Sequence, residues 1–189
     1  MKKKAPDNPL IEALHRVVSF LESHTIDYML MGGIANSIYG HPRQTFDIDI
    51  EIEVNEIKLA GFIDDMSTIG TVVPEDPIVF VKETAVLPVD VGQVRIDLIL
   101  ATLPFEKEAI KRSVKKEIYG RLVRVTRIED LIIHKALSTR EKDWMDIAEL
   151  ISIQAKNIDW DYLLPHIDQL SEFLNDPTIA ARIRIFRDA

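Results

Sequence analysis

Between Thr45 and Glu53 the chain alternates strictly: Phe46, Ile48, Ile50 and Ile52 are apolar, and Thr45, Asp47, Asp49, Glu51 and Glu53 are polar. Period-2 alternation predicts a strand with one buried face. Asp47 and Asp49 then share the opposite face, roughly 6.5–7 Å apart. Aspartate is a poor strand former, so two of them one pleat apart run against local propensity, as is expected where function overrides it. A solvent-facing amphipathic strand is the competing reading, and Thr45, Glu51 and Glu53 on the same face favour it. Upstream, Tyr28-Met29-Leu30-Met31 predicts a short buried strand, and Gly32-Gly33 hands it over to a helix from Ile34 to Tyr39. Backbone amides without a Cβ in front of them suit an anion at that turn, although a Gly-Gly pair also occurs in turns without a ligand.

Downstream, Asp97 is an isolated acid in the apolar stretch Val94 to Leu100. A buried carboxylate without compensation is costly, so a partner is expected. Arg95 is not expected to serve, because adjacent side chains on a strand point to opposite faces. A bound cation would compensate. Asp47, Asp49 and Asp97 are therefore the candidate catalytic and metal-ligating residues.

The remaining elements follow from periodicity and caps. Asn8-Pro9 opens an amphipathic helix through Leu21, and Asn55 caps a helix to Ser67. Residues 69–93 read as turn-rich, with strands at Ile78–Val81 and Ala85–Val89. Pro104 opens a helix to Lys116, and Ile118–Val125 reads as a strand. Thr126-Arg127-Ile128-Glu129 has capping-box spacing. Helices are expected over 128–139, 143–154, 159–174 and 177–187, with Pro165 breaking or kinking the third. An α/β core (1–125) followed by a helical segment packed on it (126–189) is the expected organisation, an α+β mixed sheet flanked by helices.

The 189 residues include no cysteine, which excludes disulfides and thiolate metal sites and fits a cytoplasmic protein. No membrane span or signal-type segment is expected. A net charge of -8 argues against broad duplex binding. The cations Lys107, Lys111, Arg112, Lys115, Lys116, Arg121 and Arg124 form either a local nucleic-acid patch or a solvated helix face. Lys135 sits on an apolar helical stripe, as do Asp143 and Asp146 on the next helix. They form an ion pair among themselves or with Arg140, or else Lys135 holds phosphates. Arg43 holds a phosphate or pairs with Glu51, and His41 is near enough in sequence to touch the site. His15, His24, His134 and His166 read as structural.

Gly32-Gly33, Arg43-Gln44-Thr45-Phe46-Asp47-Ile48-Asp49-Ile50 and Arg95-Ile96-Asp97-Leu98 together resemble the nucleotidyltransferase superfamily of DNA polymerase β type. Glu129 to Leu137, with Arg140, Asp143 and Asp146, narrows the resemblance to AbiEii-type nucleotidyltransferases, many of them toxins of toxin–antitoxin pairs. It spans residues 28 to 151. It implies transfer of a nucleoside monophosphate from an NTP to a hydroxyl of RNA (tRNA included), a protein or a small molecule. Asp47 and Asp49 would hold two Mg²⁺ ions, and Asp97 the ion that activates the acceptor. Gly32 and Gly33 would carry the triphosphate, and Arg43 would be a further nucleotide contact. Lys135 matches the family's helical lysine and Asp143 the acid of the following motif, with Arg140 in support. A Gly-Gly turn stands where Gly-Ser is commoner. The resemblance also admits a cognate antitoxin partner, an antibiotic-modifying transferase, or an inactive member that only binds a nucleotide or protein.

Overall fold

The computed structural model describes residues 8–42 and 44–189. Asn8 Oδ1 accepts from the Leu10 amide and Pro9 takes the first helical position, which starts α1 (Pro9–Ser23). Its Ile11, Leu14, Val17, Val18 and Leu21 are buried. β1 (Tyr28–Leu30) is wholly buried and runs through Met31 into α2 (Gly32–Tyr39). β2 is Asp47–Ile52. Asn55 caps a 3-10 turn, Glu56–Lys58, before α3 (Leu59–Met66) and the two-residue β3 (Thr71–Val72). α4 (Pro77–Thr84) precedes the hairpin of β4 (Val86–Val91) and β5 (Val94–Leu100). α5 (Pro104–Arg112), β6 (Val114–Ile118) and β7 (Arg121–Val125) follow. Four further helices complete the chain: α6 (Ile128–Ala136), α7 (Glu141–Gln154), α8 (Trp160–Phe173) and α9 (Pro177–Asp188).

Among the described residues the strands form one mixed sheet of seven, in the order β3-β4-β5-β2-β1-β7-β6. β2 pairs parallel with β5 and β1 with β7, and the other neighbours are antiparallel. The fold is therefore the expected α/β type with a helical C-terminal part. The chain divides into two compact units, Met1–Ile34 with Gln44–Thr126, and Ala35–Arg43 with Arg127–Ala189. In the first, Ile48, Ile50 and Ile52 of β2 and Ile96 and Leu98 of β5 are fully enclosed. No helix among the described residues is long and apolar enough to cross a membrane.

Several local expectations are corrected. Residues 77–84 are helical, not strand. Asp76 Oδ1 accepts from the Val79 amide at 3.0 Å and Pro77 sits at the first helical position, so a cap overrides the β propensity of Ile78-Val79-Phe80-Val81. The helix from Pro104 ends at Arg112, and Lys115 and Lys116 instead pair with Arg124 and Val123 in the β6–β7 hairpin. The N-cap of α6 is Arg127, one residue after Thr126, and makes no side-chain capping bond; the Thr126 amide donates to Leu30 O, and Glu129 Oε1 accepts from the Asp159 amide 30 residues away. Of the two outcomes expected at Pro165, a break or a kink, the break is excluded, since α8 continues through it. Pro165 and Asp161, the residue whose carbonyl loses its donor, lie on the exposed face, where water can serve that carbonyl.

Candidate active site

The turn from β1 into α2 is built around missing side chains. Gly32 has φ +62°, and a Cβ there would stand 1.7 Å from Asp49 Oδ2 and 2.7 Å from Asp49 Cβ. A Cβ on Gly33 would stand 2.7 Å from Thr45 Oγ1. The glycine pair therefore supplies both a left-handed backbone and the space into which Asp49 and Thr45 pack. The Met31 amide donates to Asp49 O at 2.9 Å, fixing the turn against β2. This places the Asp49 carboxylate against the first turn of α2, where the helix dipole favours negative charge.

Register brings the third acid in. Asp49 lies opposite Asp97 and Asp47 opposite Arg95 on parallel neighbours. All three carboxylates thus share one sheet face, on strands about 4.8 Å apart. Asp47 is exposed, and Asp49 and Asp97 are half-buried. Burial raises the Asp97 pKa above the ordinary carboxylate value; Arg95 opposes this, and the charges of Asp47 and Asp90 add to it. Asp47 is thus close enough to Asp97 for its charge to act on it.

The structure corrects three expectations about this face. Asp97 is half-buried rather than the fully buried carboxylate that its apolar stretch suggests. Arg95 lies two positions from Asp97, so the two share a face, since only immediate neighbours on a strand oppose each other. Its guanidinium pairs with Asp90, Nε to Oδ1 at 2.7 Å. Phe46 precedes β2 and is 75 % exposed, whereas Glu51 is fully buried, so the strand face deepens from Asp47 inward.

Sequence reasoning misses the pairing of Asp90 with Arg95. Its signal is the Val91-Gly92-Gln93-Val94 hairpin turn, with Gly92 at φ +66°, which sets Asp90 opposite Arg95. Alternation places Thr45 only on the solvent face, yet its hydroxyl donates to Asp47 Oδ1 at 2.7 Å. Arg43 lies outside the described residues.

In the second unit Lys135 is buried, its Nζ 3.1 Å from Asp143 Oδ1 and 2.6 Å from Asp146 Oδ2. Arg140 Nε donates to Asp143 Oδ2 at 2.7 Å. Burial works to raise the Asp143 pKa, but hydrogen bonds from Ser138, Lys135 and Arg140 outweigh it and hold it below the ordinary carboxylate value. These contacts are those of the ion-pair alternative. His41 donates its backbone amide to Glu149 Oε1, and its Nδ1 lies 3.0 Å from the same oxygen. Of the cationic run, Arg121 pairs with Glu22 and Arg124 with Asp27.

Among the described residues no three or more His, Asp or Glu side chains form a ready-made metal cage. The donor set is nonetheless of the right kind: carboxylate oxygens, the ligands that hard divalent cations take, with the charge of Asp47 adding to the burial that raises the Asp97 pKa. A cavity of about 540 Å³ lies at the other end of β2, lined by His24, Glu53, Asn55 and Phe62 among others, and holds none of the acids above.

The fold is shared with solved structures, among them the following three. The chain is 16% identical to an antigenic nucleotidyltransferase-like protein from Paracoccidioides brasiliensis, over 95% of this chain and 94% of that one, with TM-score 0.55. It is 15% identical to ANT(2")-Ia in complex with adenylyl-2"-tobramycin, over 96% and 98%, with TM-score 0.53. It is 16% identical to lincomycin-bound lincosamide antibiotic adenylyltransferase LnuA, over 75% and 96%, with TM-score 0.51. No curated protein matches the chain. Residues 66–184, which include Asp97 and Lys135 and begin after Asp47 and Asp49, match a family model, and the chain accordingly belongs to the family described as "Nucleotidyl transferase of unknown function (DUF2204)".

Proposed function

We propose that this nucleotidyltransferase moves a nucleoside monophosphate from an NTP to an acceptor hydroxyl with Mg²⁺ bound to Asp47, Asp49 and Asp97. The observation that carries this is the β2–β5 register, which sets Asp49 opposite Asp97 with Asp47 one pleat away on the same face. In the reaction the acceptor oxygen bonds to the α-phosphorus, the bond to the β-phosphate's bridging oxygen breaks, pyrophosphate leaves, and the hydroxyl proton is lost to solvent. Asp47 and Asp49 would hold both cations and Asp97 the one on the acceptor's side. Bound there, the cations would neutralise charge on the attacking and leaving oxygens. Gly32 and Gly33 admit Asp49 and Thr45 and open the helix turn that would receive the triphosphate. Lys135, Asp143 and Arg140 enter as the ionic framework of the second unit.

The likeness of Glu129–Leu137, Arg140, Asp143 and Asp146 to AbiEii-type enzymes supports assignment to that subfamily, and with it an antitoxin partner. The two antibiotic adenylyltransferases of like fold support a second reading, transfer to an antibiotic hydroxyl. One experiment addresses both. The chain is incubated with each labelled triphosphate and Mg²⁺ against total RNA, lysate protein, tobramycin or lincomycin, with D47A/D49A alongside. The acceptor that takes label identifies the substrate class. Equal labelling by the double variant refutes the assignment of these acids.

A further inference from the structure

The geometry points to Thr45 as a positioning residue, whose hydroxyl orients the Asp47 carboxylate for cation binding. This deepens the two-cation reading above and rests on it. Asp47 opens β2 and is exposed, so packing does not select its rotamer. Asp49, by contrast, is half-buried and lies against Gly32. What orients Asp47 is Thr45, whose Oγ1 donates to Oδ1 at 2.7 Å. A hydroxyl carries one proton, so this bond uses one lone pair of Oδ1 and leaves Oδ2 and the second Oδ1 lone pair for ligation. The same Oγ1 would lie 2.7 Å, and Thr45 Cβ 3.2 Å, from a Cβ on Gly33. Any side chain at 33 would displace the hydroxyl, so each glycine of the pair has its own role. Gly32 makes room for Asp49, and Gly33 makes room for the group that aims Asp47. Partners that orient metal-ligating side chains act through the ligand, without touching the metal.

The competing role is structural. Thr45 Oγ1 also lies 3.3 Å from Asp47 O, so the hydroxyl could simply stabilise the bend entering the strand. Calorimetric titration of the full chain with Mn²⁺, without nucleotide, separates the two. Thr45→Val keeps the shape without the donor, Thr45→Ala guards against a packing effect of the valine methyl, and Thr45→Ser restores the donor. Mn²⁺ affinity is expected to fall about 10- to 100-fold in Thr45→Val and Thr45→Ala and to stay within about threefold in Thr45→Ser. The cation-free melting temperature should move by no more than about 2 °C in all three, as for other surface substitutions. In an Asp47→Ala background, Thr45→Val should add nothing. Native-like Mn²⁺ affinity in Thr45→Val, no recovery in Thr45→Ser, or a further loss in the Asp47→Ala background would overturn the role of Thr45 alone. A native chain that binds no Mn²⁺ would overturn the two-cation reading, and this inference with it.

Discussion

The contact between Gly32 and Asp49 makes the sharpest quantitative prediction. Gly32→Ala places a methyl group at φ +62°, where an L-residue costs roughly 1–2 kcal/mol. It also meets Asp49 at Oδ2 (1.7 Å), Cγ (2.4 Å) and Cβ (2.7 Å). Rotating the carboxylate relieves the first two contacts. It cannot relieve the third, because Cβ is fixed to a strand paired on both sides, with β1 and β5. The main chain must shift, an overpacking cost of about 1–3 kcal/mol. The sum is about 2–5 kcal/mol, and at about 2–4 °C per kcal/mol for a chain of this size a mid-range value of ~3 lowers Tm by ~6–12 °C. Gly92→Ala is the control. Gly92 has φ +66°, and a methyl group there would meet nothing within 4 Å, so it bears the backbone cost alone. Urea unfolding at pH 7 without divalent cations reads both. In an Asp49→Gly background the cost of Gly32→Ala should fall to that of Gly92→Ala, a coupling of about 1–3 kcal/mol. If Gly32→Ala costs no more than Gly92→Ala, or the same in both backgrounds, the packing account of the glycine pair is wrong.

Other outcomes follow from the charged and buried groups. Burial, with help from Asp47 and Asp90, raises the Asp97 pKa, so the stability tied to its protonated form is complete below the unfolded value and is lost as pH rises through the folded one. Asp97→Asn should therefore raise the cation-free Tm at pH 7, and added Mg²⁺ should stabilise the native chain more than the variant; a lower cation-free Tm for Asp97→Asn would refute this. Asp143 has the opposite sign: its lowered folded pKa gives stability that is present above the unfolded value of about 3.9 and is lost as pH falls through the folded one, so Asp143→Asn should flatten the acid limb of a pH–Tm curve. Lys135→Met strands two buried carboxylates and should cost about 3–5 kcal/mol by urea unfolding. An unchanged stability with lost triphosphate binding would instead make Lys135 a phosphate ligand. Burial raises Tyr28 and Tyr39 to about 12, so their stabilisation is complete below 10 and fades as pH rises toward 12. Ultraviolet titration should show two late-ionising tyrosines, one lost in each Tyr→Phe variant.

Where local chemistry is strong, sequence and structure agree. Asn8-Pro9 opens α1 and Asn55 caps the turn before α3, because a side-chain acceptor and its amide donor lie within a few residues. Residues 77–84 depart from the expected strand for a related reason: the Asp76 cap, itself a local signal, outweighs the β-branched run that follows it. Lys115 and Lys116 are not assignable from local pattern, since pairing with β7 decides their conformation.

The alternation around Asp47 and Asp49 and the single acid in Val94–Leu100 mark the acids from sequence, because a strand's period is local. That Asp97 faces Asp49, that Glu51 is sealed in, and that Gly32 and Gly33 admit Asp49 and Thr45 were decided by tertiary structure. Each depends on which strands pair and in what register, and a register is set by the summed burial of whole strands rather than by any one residue's neighbours in the chain.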